Sequence, residues 1–271
     1  MGKNFIWFSD PACCEVDEAG GKGASLANMT QQNLPVPGGF TVPANVMEDC
    51  IDADKLRALA NARDHEAAVK LIEDTAKVPQ DVMDAYAEMG SGIVAVRSSA
   101  CAEDGDAASY AGQQETYLEV LGTELVSKRI IDCWASFFSE RAIFYRGEKG
   151  SLDDLRMAVV VQKMIDAEKA GVAFSNHPVT HRKDRMMIEA VFGLGEQVVS
   201  GEVTPDQYVV DRKGREKKSQ LPHGGVLSEA ELARISELAV QLETQHGKPQ
   251  DIEWAVFEGE VYLLQSRPIT A

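Results

Sequence analysis

Two regions of this 271-residue chain combine side chains suited to phosphate and hard cations. Toward its end, Asp251-Ile252-Glu253-Trp254-Ala255 is followed by Gln265-Ser266-Arg267-Pro268. On a strand, alternate residues share a face, so Asp251 and Glu253 point the same way. If the neighbouring strand carries Gln265, a carboxylate and an amide oxygen converge. Mg²⁺ takes such oxygen ligands together with waters and substrate phosphates. Arg267, two residues beyond Gln265, then faces the same phosphates.

The first half offers cations and backbone donors. In Gly20-Gly21-Lys22-Gly23-Ala24-Ser25-Leu26, two glycines precede a lysine and a helix-compatible run. This arrangement can bring N–H groups and one cation close to a phosphate. The spacing is not that of a Walker A motif, and taken alone a glycine turn beside a solvated lysine is the plainer reading. Arg97 closes the apolar run Ile93-Val94-Ala95-Val96 and precedes Ser98-Ser99-Ala100-Cys101-Ala102-Glu103-Asp104. Its planar fork suits phosphate oxygens, or pairs with Glu103 or Asp104. The small, hydroxyl-rich stretch that follows, with Gly112, Gln113 and Thr116, has the composition of a loop that closes over a triphosphate. At the end of Val159-Val160-Val161-Gln162-Lys163-Met164, backbone groups can pair with an adenine edge, though the run also reads simply as a buried strand with a polar end.

The elements that position these residues are legible from periodicity. Residues 34–43 form an extended entry into a strand, and 44–89 are alanine-rich at helical spacing, predicting two or three helices. A helix is predicted over 123–146. Strands are predicted at 93–97, 157–164, 171–174, 186–191 and 203–210. A helix over 228–245 starts at a Ser228 N-cap with Glu231 three residues on. Residues 251–256 and 261–265 read as a hairpin turning at Glu258-Gly259. Strands and helices mix without regular βαβ alternation, so the fold class expected is α+β.

Composition narrows the partners. Forty-three acidic against 27 basic residues give a formal charge of −16. Such a surface repels phosphate backbones and anionic lipid, arguing against nucleic-acid and membrane partners. It also means that any ATP site must supply its own local cations. No apolar run reaches the roughly 20 residues of a bilayer span, the first residues lack a secretory pattern, and a cytoplasmic location is expected. The cysteines (Cys13, Cys14, Cys50, Cys101 and Cys133) are odd in number without CxxC spacing, so free thiols are expected. His177 and His181 sit in a polar stretch that reads as a solvated loop.

Taken in order, GGKGASL, LPVPGGFTV, VAVRSSACAED, SYAGQQETYL, VVVQKM, GVAFSNHPVT, GLGEQVVSGEVTPD, DIEWA and QSRPIT resemble the nucleotide-binding domain of phosphoenolpyruvate synthase, pyruvate phosphate dikinase and rifampicin phosphotransferase. The resemblance covers nearly the whole chain. It implies a single ATP-grasp domain over 1–271, with lobes of about 1–155 and 156–271 closing on Mg·ATP. It further implies that Lys22 and Arg97 contact phosphates while Gly112, Gln113 and Thr116 belong to the loop over them. Gln162, with the backbone of Lys163 and Met164, would hold adenine, and Glu253 and Gln265 would ligate Mg²⁺. Arg267 would meet the terminal phosphate, with Asp251 in the ribose or metal environment. The segments 43–93 and 211–228 look shorter than in full-length members, and Cys101 replaces an expected threonine or proline.

In this family the domain passes a phosphoryl group from ATP to a histidine on a separate domain, leaving AMP. No stretch of this chain matches the carrier segment, so the resemblance implies that carrier and acceptor domains lie outside this sequence, which is either an excised domain or a natural subunit. The expectation is the ATP-binding subunit of a split dikinase, with a phenol as first-choice final acceptor and pyruvate or an antibiotic hydroxyl as the alternative acceptors. An ATP-sensing module and a direct small-molecule kinase yielding ADP are the alternatives.

Overall fold

The computed structural model describes residues 3–101, 115–149, 152–195 and 203–269. The fold is α+β and comprises two compact units, residues 1–31 with 38–164 and residues 32–37 with 165–271. The lobe boundary expected near 155/156 therefore lies at 164/165. The reason is β-pairing: the strand at 157–163 is hydrogen-bonded between two strands of the first unit. Residues 32–37 join the second unit, where the Leu263 amide donates to the Pro35 carbonyl at 2.8 Å.

The first unit holds a five-stranded sheet in the order β1 (Ile6–Trp7), β2 (Gly39–Val42), β5 (Met157–Lys163), β3 (Val94–Ala100), β4 (Thr116–Val120), with every pair antiparallel. Its apolar face carries Phe40, Val42, Val94, Val96, Val159 and Val161 in the core. Helices α2 (Val46–Asp49), α3 (Ala53–Asn61), α4 (His65–Thr75), α5 (Gln80–Glu88), α6 (Thr123–Ser136) and α7 (Glu140–Lys149) contribute most of the remaining core residues. Alternate residues Thr41, Arg97, Ser99 and Gln162 point to the opposite face, which α1 (Val16–Gln31) covers. The predicted helix over 123–146 breaks after Ser136. There Arg146, 1% exposed, stacks on the Phe137 ring at 3.8 Å and donates to its carbonyl at 3.0 Å. These contacts satisfy the broken turn, which hydrophobic periodicity alone does not reveal.

The second unit is a six-stranded antiparallel sheet, ordered β11 (Glu260–Pro268), β10 (Gln250–Phe257), β6 (Lys169–Phe174), β7 (Met186–Phe192), β8 (Asp206–Val210), β9 (Glu216–Gln220). Helix α8 (Glu229–His246) packs on β6, β10 and β11 and opens with the expected Ser228–Glu231 capping box, worth about 1 kcal/mol. One face buries Ile188, Tyr208, Ile252, Trp254 and Leu263, at about 1.5–3 kcal/mol for each large apolar side chain. The other face, half-exposed, carries Val172, Glu189, Gln207, Asp251, Glu253 and Gln265.

The strand expected from residue 203 begins at Asp206, whose buried carboxylate accepts the amides of His223, Gly225 and Val226 at 2.7–2.9 Å. Strand β9 has no apolar alternation, and its hairpin closes through Asp211. Burial by itself raises the Asp211 carboxyl. The amides of Lys213 and Arg215, with the Lys217 and Arg215 side chains, outweigh burial and hold it below the ordinary 3.8. A depressed carboxyl contributes stability above its unfolded-chain value and loses it as pH falls through the folded one. Asp211→Asn is therefore expected to flatten the loss of thermal midpoint as pH drops below about 4. An acid limb as steep as that of the unmodified chain would refute this.

All five cysteines are free. Burial pushes Cys13, Cys50 and Cys101 up to about 11 and Cys133 further still, leaving little thiolate at neutral pH.

Candidate functional site

In the first unit the glycine turn and the arginine strand are built against one another. Gly20 breaks the helical path with φ 67° and ψ 172°, so the chain re-enters the helix at Gly21 and Lys22. The Ser99 hydroxyl clamps this turn, donating to the Ala19 carbonyl at 2.8 Å and accepting the Gly23 amide at 3.1 Å. The Lys22 ammonium donates to the Ser98 carbonyl at 3.1 Å, which brings it to the strand carrying Arg97. Arg97 is 7% exposed and sits opposite Thr116 on β4 and Val160 on β5. Gln162, 3% exposed, is two residues from Val160 and shares the Arg97 face.

A side chain at position 20 would meet the Ser99 carbonyl well inside contact distance, in a backbone conformation that disfavours it. Gly20→Ala is expected to lower stability by at least about 1–2 kcal/mol. Thermal unfolding checks this, and an unchanged midpoint would show that the turn tolerates a Cβ.

At the strand end expected to meet adenine, two backbone amides are already paired. The amides of Lys163 and Met164 are committed to the carbonyls of Gly38 and Ile93 at 2.9 and 3.0 Å, and the Met164 sulfur accepts the Glu119 amide. Neither amide is free for a base, which leaves Gln162 and carbonyl oxygens at this strand end. Gly112 and Gln113 lie outside the described residues.

In the second unit the predicted pairing is present. Glu253 on β10 stands directly opposite Gln265 on β11, and Asp251 opposite Arg267. A bulge between Glu253 and Trp254 produces this register. Counting back from the turn without it would set Leu264 against Glu253. The Arg267 guanidinium donates to Asp251 Oδ2 through Nε and Nη2, both at 3.0 Å. Arg267, expected at a terminal phosphate, is thus held by Asp251 while its side chain stays 60% exposed.

Burial pushes the Asp251 carboxyl above the ordinary carboxylate range. Arg267 pulls it down and the Glu253 charge pushes it up. Two carboxylates next to one another on one half-buried strand face favour an incoming cation. Among the described residues no three His, Cys, Asp or Glu side chains gather around one point. A carboxylate and an amide oxygen fit Mg²⁺, which keeps waters and takes phosphate oxygens for its remaining positions.

Near this face, residues 175–185 link β6 to β7. His177 Nδ1 lies 3.3–3.4 Å from the amides of Val179 and Thr180, and His181 is exposed with φ 52°. Both behave as turn residues, as the polar-loop reading expects.

A sequence profile described as the pyruvate phosphate dikinase AMP/ATP-binding domain matches residues 16–223 and 213–271. The chain belongs to this family. Among relatives of the family, a probable phosphoenolpyruvate synthase of Archaeoglobus fulgidus is 40% identical over 98% of this chain and 41% of its own length. That of Methanothermobacter thermautotrophicus is 40% identical over 100% and 46%. An uncharacterized phosphotransferase of Bacillus subtilis, YvkC, is 32% identical over 93% and 33%. The chain thus spans less than half the length of these curated relatives. The Archaeoglobus alignment occupies 312 positions against 271 residues here, so that relative carries segments this chain lacks. Among solved structures, the biotin carboxylase–β,γ-ATP complex of Campylobacter jejuni superposes with a TM-score of 0.40 at 10% identity, over 93% of this chain and 43% of its own. At that level no residue is carried over from it.

Within the family frame, the groups that sequence reasoning passed over are Ser99, which clamps the glycine turn, and the pair Glu189 and Gln207. Glu189 was legible as the lone charge in the apolar strand Met186–Phe192. Ser99 gave no signal beyond being one of several small hydroxyl residues.

Proposed function

We propose that this chain is the ATP-binding part of a dikinase-type phosphotransferase, transferring phosphoryl from Mg·ATP to a histidine carried by another domain or subunit. The observation that carries this reading is the ladder of Glu253 with Gln265 and Asp251 with Arg267 on one half-exposed sheet face, in a chain of this family. AMP and phosphate are the products. The α–β phosphoanhydride therefore breaks as the carrier histidine's nitrogen takes the β,γ-diphosphoryl group and AMP leaves. Water then cleaves the β–γ bond, releasing phosphate and leaving the β-phosphoryl on the histidine. A small acceptor, a phenol as first choice, receives the remaining phosphoryl from the histidine.

The chain's own part is positioning and charge neutralisation, as phosphoryl transfer generally requires. Lys22 and Arg97 offer fixed cations to phosphate oxygens, and Gln162 a side-chain amide to the base. Glu253 and Gln265 would hold Mg²⁺, which would neutralise charge on the phosphates. Arg267, partly exposed on Asp251, is placed to exchange that partner for a phosphate oxygen. The ATP-grasp mode of nucleotide binding belongs to the same proposal.

The test is to purify the chain from its native cells and assay it with Mg·ATP and phenols. A stoichiometric partner with AMP and phosphate formed is the expected result. Intact ATP would replace the proposal with a nucleotide sensor, and ADP formed without a partner with a direct kinase.

A further inference from the structure

One row of the second unit's sheet runs across all six strands on the half-exposed face: Gln265, Glu253, Val172, Glu189, Gln207 and Gln220. It contains two carboxylates and no cation. Neighbouring strands lie about 4.8 Å apart, so Glu189 stands about 10 Å from Glu253 along the row, with only Val172 between. Glu189 is half-buried, and its Oε1 accepts the Gln207 side-chain amide at 2.8 Å, which fixes the carboxylate's direction. Its Oε2 has no hydrogen-bond partner among the described residues.

We infer that Glu189 is a positioning residue for the sugar of the bound nucleotide, accepting its hydroxyl protons through Oε2. This rests on the proposed function, in which Glu253 and Gln265 hold the metal and phosphates. A carboxylate repels phosphate oxygens, so it belongs away from the metal end of the ligand. A separation of two strands is comparable to that between a nucleotide's outer phosphates and its sugar. A carboxylate oxygen that lacks a donor is complementary to a vicinal diol, and carboxylates elsewhere serve ribose hydroxyls in this way. Gln207 orients it, as a supporting amide orients a ligand carboxylate.

The test compares Mg·ATP with Mg·2′,3′-dideoxy-ATP by calorimetry, on the intact chain and on Glu189→Ala. The unmodified chain is expected to bind ATP about tenfold more tightly than the dideoxy analogue, the worth of a hydrogen bond to a charged acceptor. Glu189→Ala should bind both alike, near the dideoxy affinity, with its thermal midpoint little changed. Gln207→Ala should show an intermediate preference. A role confined to cross-strand pairing would shift stability but leave the preference intact. If Glu189→Ala retains the tenfold preference, or the unmodified chain has none, the assignment is wrong. If the unmodified chain binds neither nucleotide, the proposed function fails first and this inference with it. Loss of Mg²⁺ dependence in Glu189→Ala would instead mark Glu189 as a second metal ligand and overturn the sugar role.

Discussion

Arg97→Ala is expected to weaken Mg·ATP binding by about two to three powers of ten. Arg97 is 7% exposed and held in the middle of β3, between β4 and β5. Truncating one partner of a buried, hydrogen-bonded charge pair removes about 2–5 kcal/mol, and each 1.4 kcal/mol is tenfold in affinity. The chain's net charge of −16 sharpens the effect, because few cations are available to replace this one. Arg97→Lys is expected to restore little, since a point charge cannot reproduce a planar fork. The measurement is calorimetric titration with Mg·ATP, with circular dichroism to confirm that each variant is folded. If the Lys variant folds and binds ATP as the unmodified chain does, Arg97 is a structural residue and its phosphate role is withdrawn.

Glu253→Ala is expected to lower Mg²⁺ affinity, measured in the presence of ATP, by at least about 100-fold. Loss of a mere supporting partner to a metal ligand already costs 10–100-fold. Gln265→Ala should act in the same direction but less, because it removes a neutral oxygen and leaves the carboxylate. Glu253 stands opposite Gln265 on the half-exposed face, so neither truncation opens a hole in the core. The informative quantity is the ratio of ATP affinities with and without Mg²⁺. In the unmodified chain the metal is expected to strengthen binding, whereas in Glu253→Ala the two affinities are expected to converge. Turnover in the assembled enzyme should fall with the same variants. Unchanged Mg²⁺ dependence would show that the cation is held elsewhere.

The two substitutions probe separate units of the chain. Arg97 and Lys22 belong to the five-stranded sheet and its α1 helix, whereas Glu253 and Gln265 belong to the six-stranded sheet. A loss confined to the Mg²⁺-dependent part of binding for Glu253→Ala, beside a loss with and without the metal for Arg97→Ala, would separate metal coordination from direct phosphate contact.

Much of this was legible in residue type and local spacing. The capping box at Ser228 and Glu231, the turn at Glu258-Gly259 and the pointing of Asp251 with Glu253 are short-range consequences of neighbouring residues. The α+β class followed from the absence of βαβ alternation, and every strand pair formed is antiparallel. The two glycines before Lys22 marked a turn that Gly20 indeed makes, with its positive φ.

Only the tertiary structure decided which strands meet, and at what offset. The bulge after Glu253 is one extra residue in a hairpin whose turn was read correctly, yet it exchanges Leu264 for Gln265 opposite the carboxylate. Because side chains alternate with a period of two, such a one-residue shift changes which residues share a face. Long-range pairing likewise set β5 between β2 and β3, assigned it to the first unit and engaged the Lys163 and Met164 amides that local reading had left for adenine. The same pairing aligned Glu189, about 60 residues away in sequence, with Glu253 in one row. Sequence by itself determined which side chains were available and which local turns present them. Hydrogen bonding between strands distant in the chain determined their neighbours, because such contacts carry no local periodicity from which to read them.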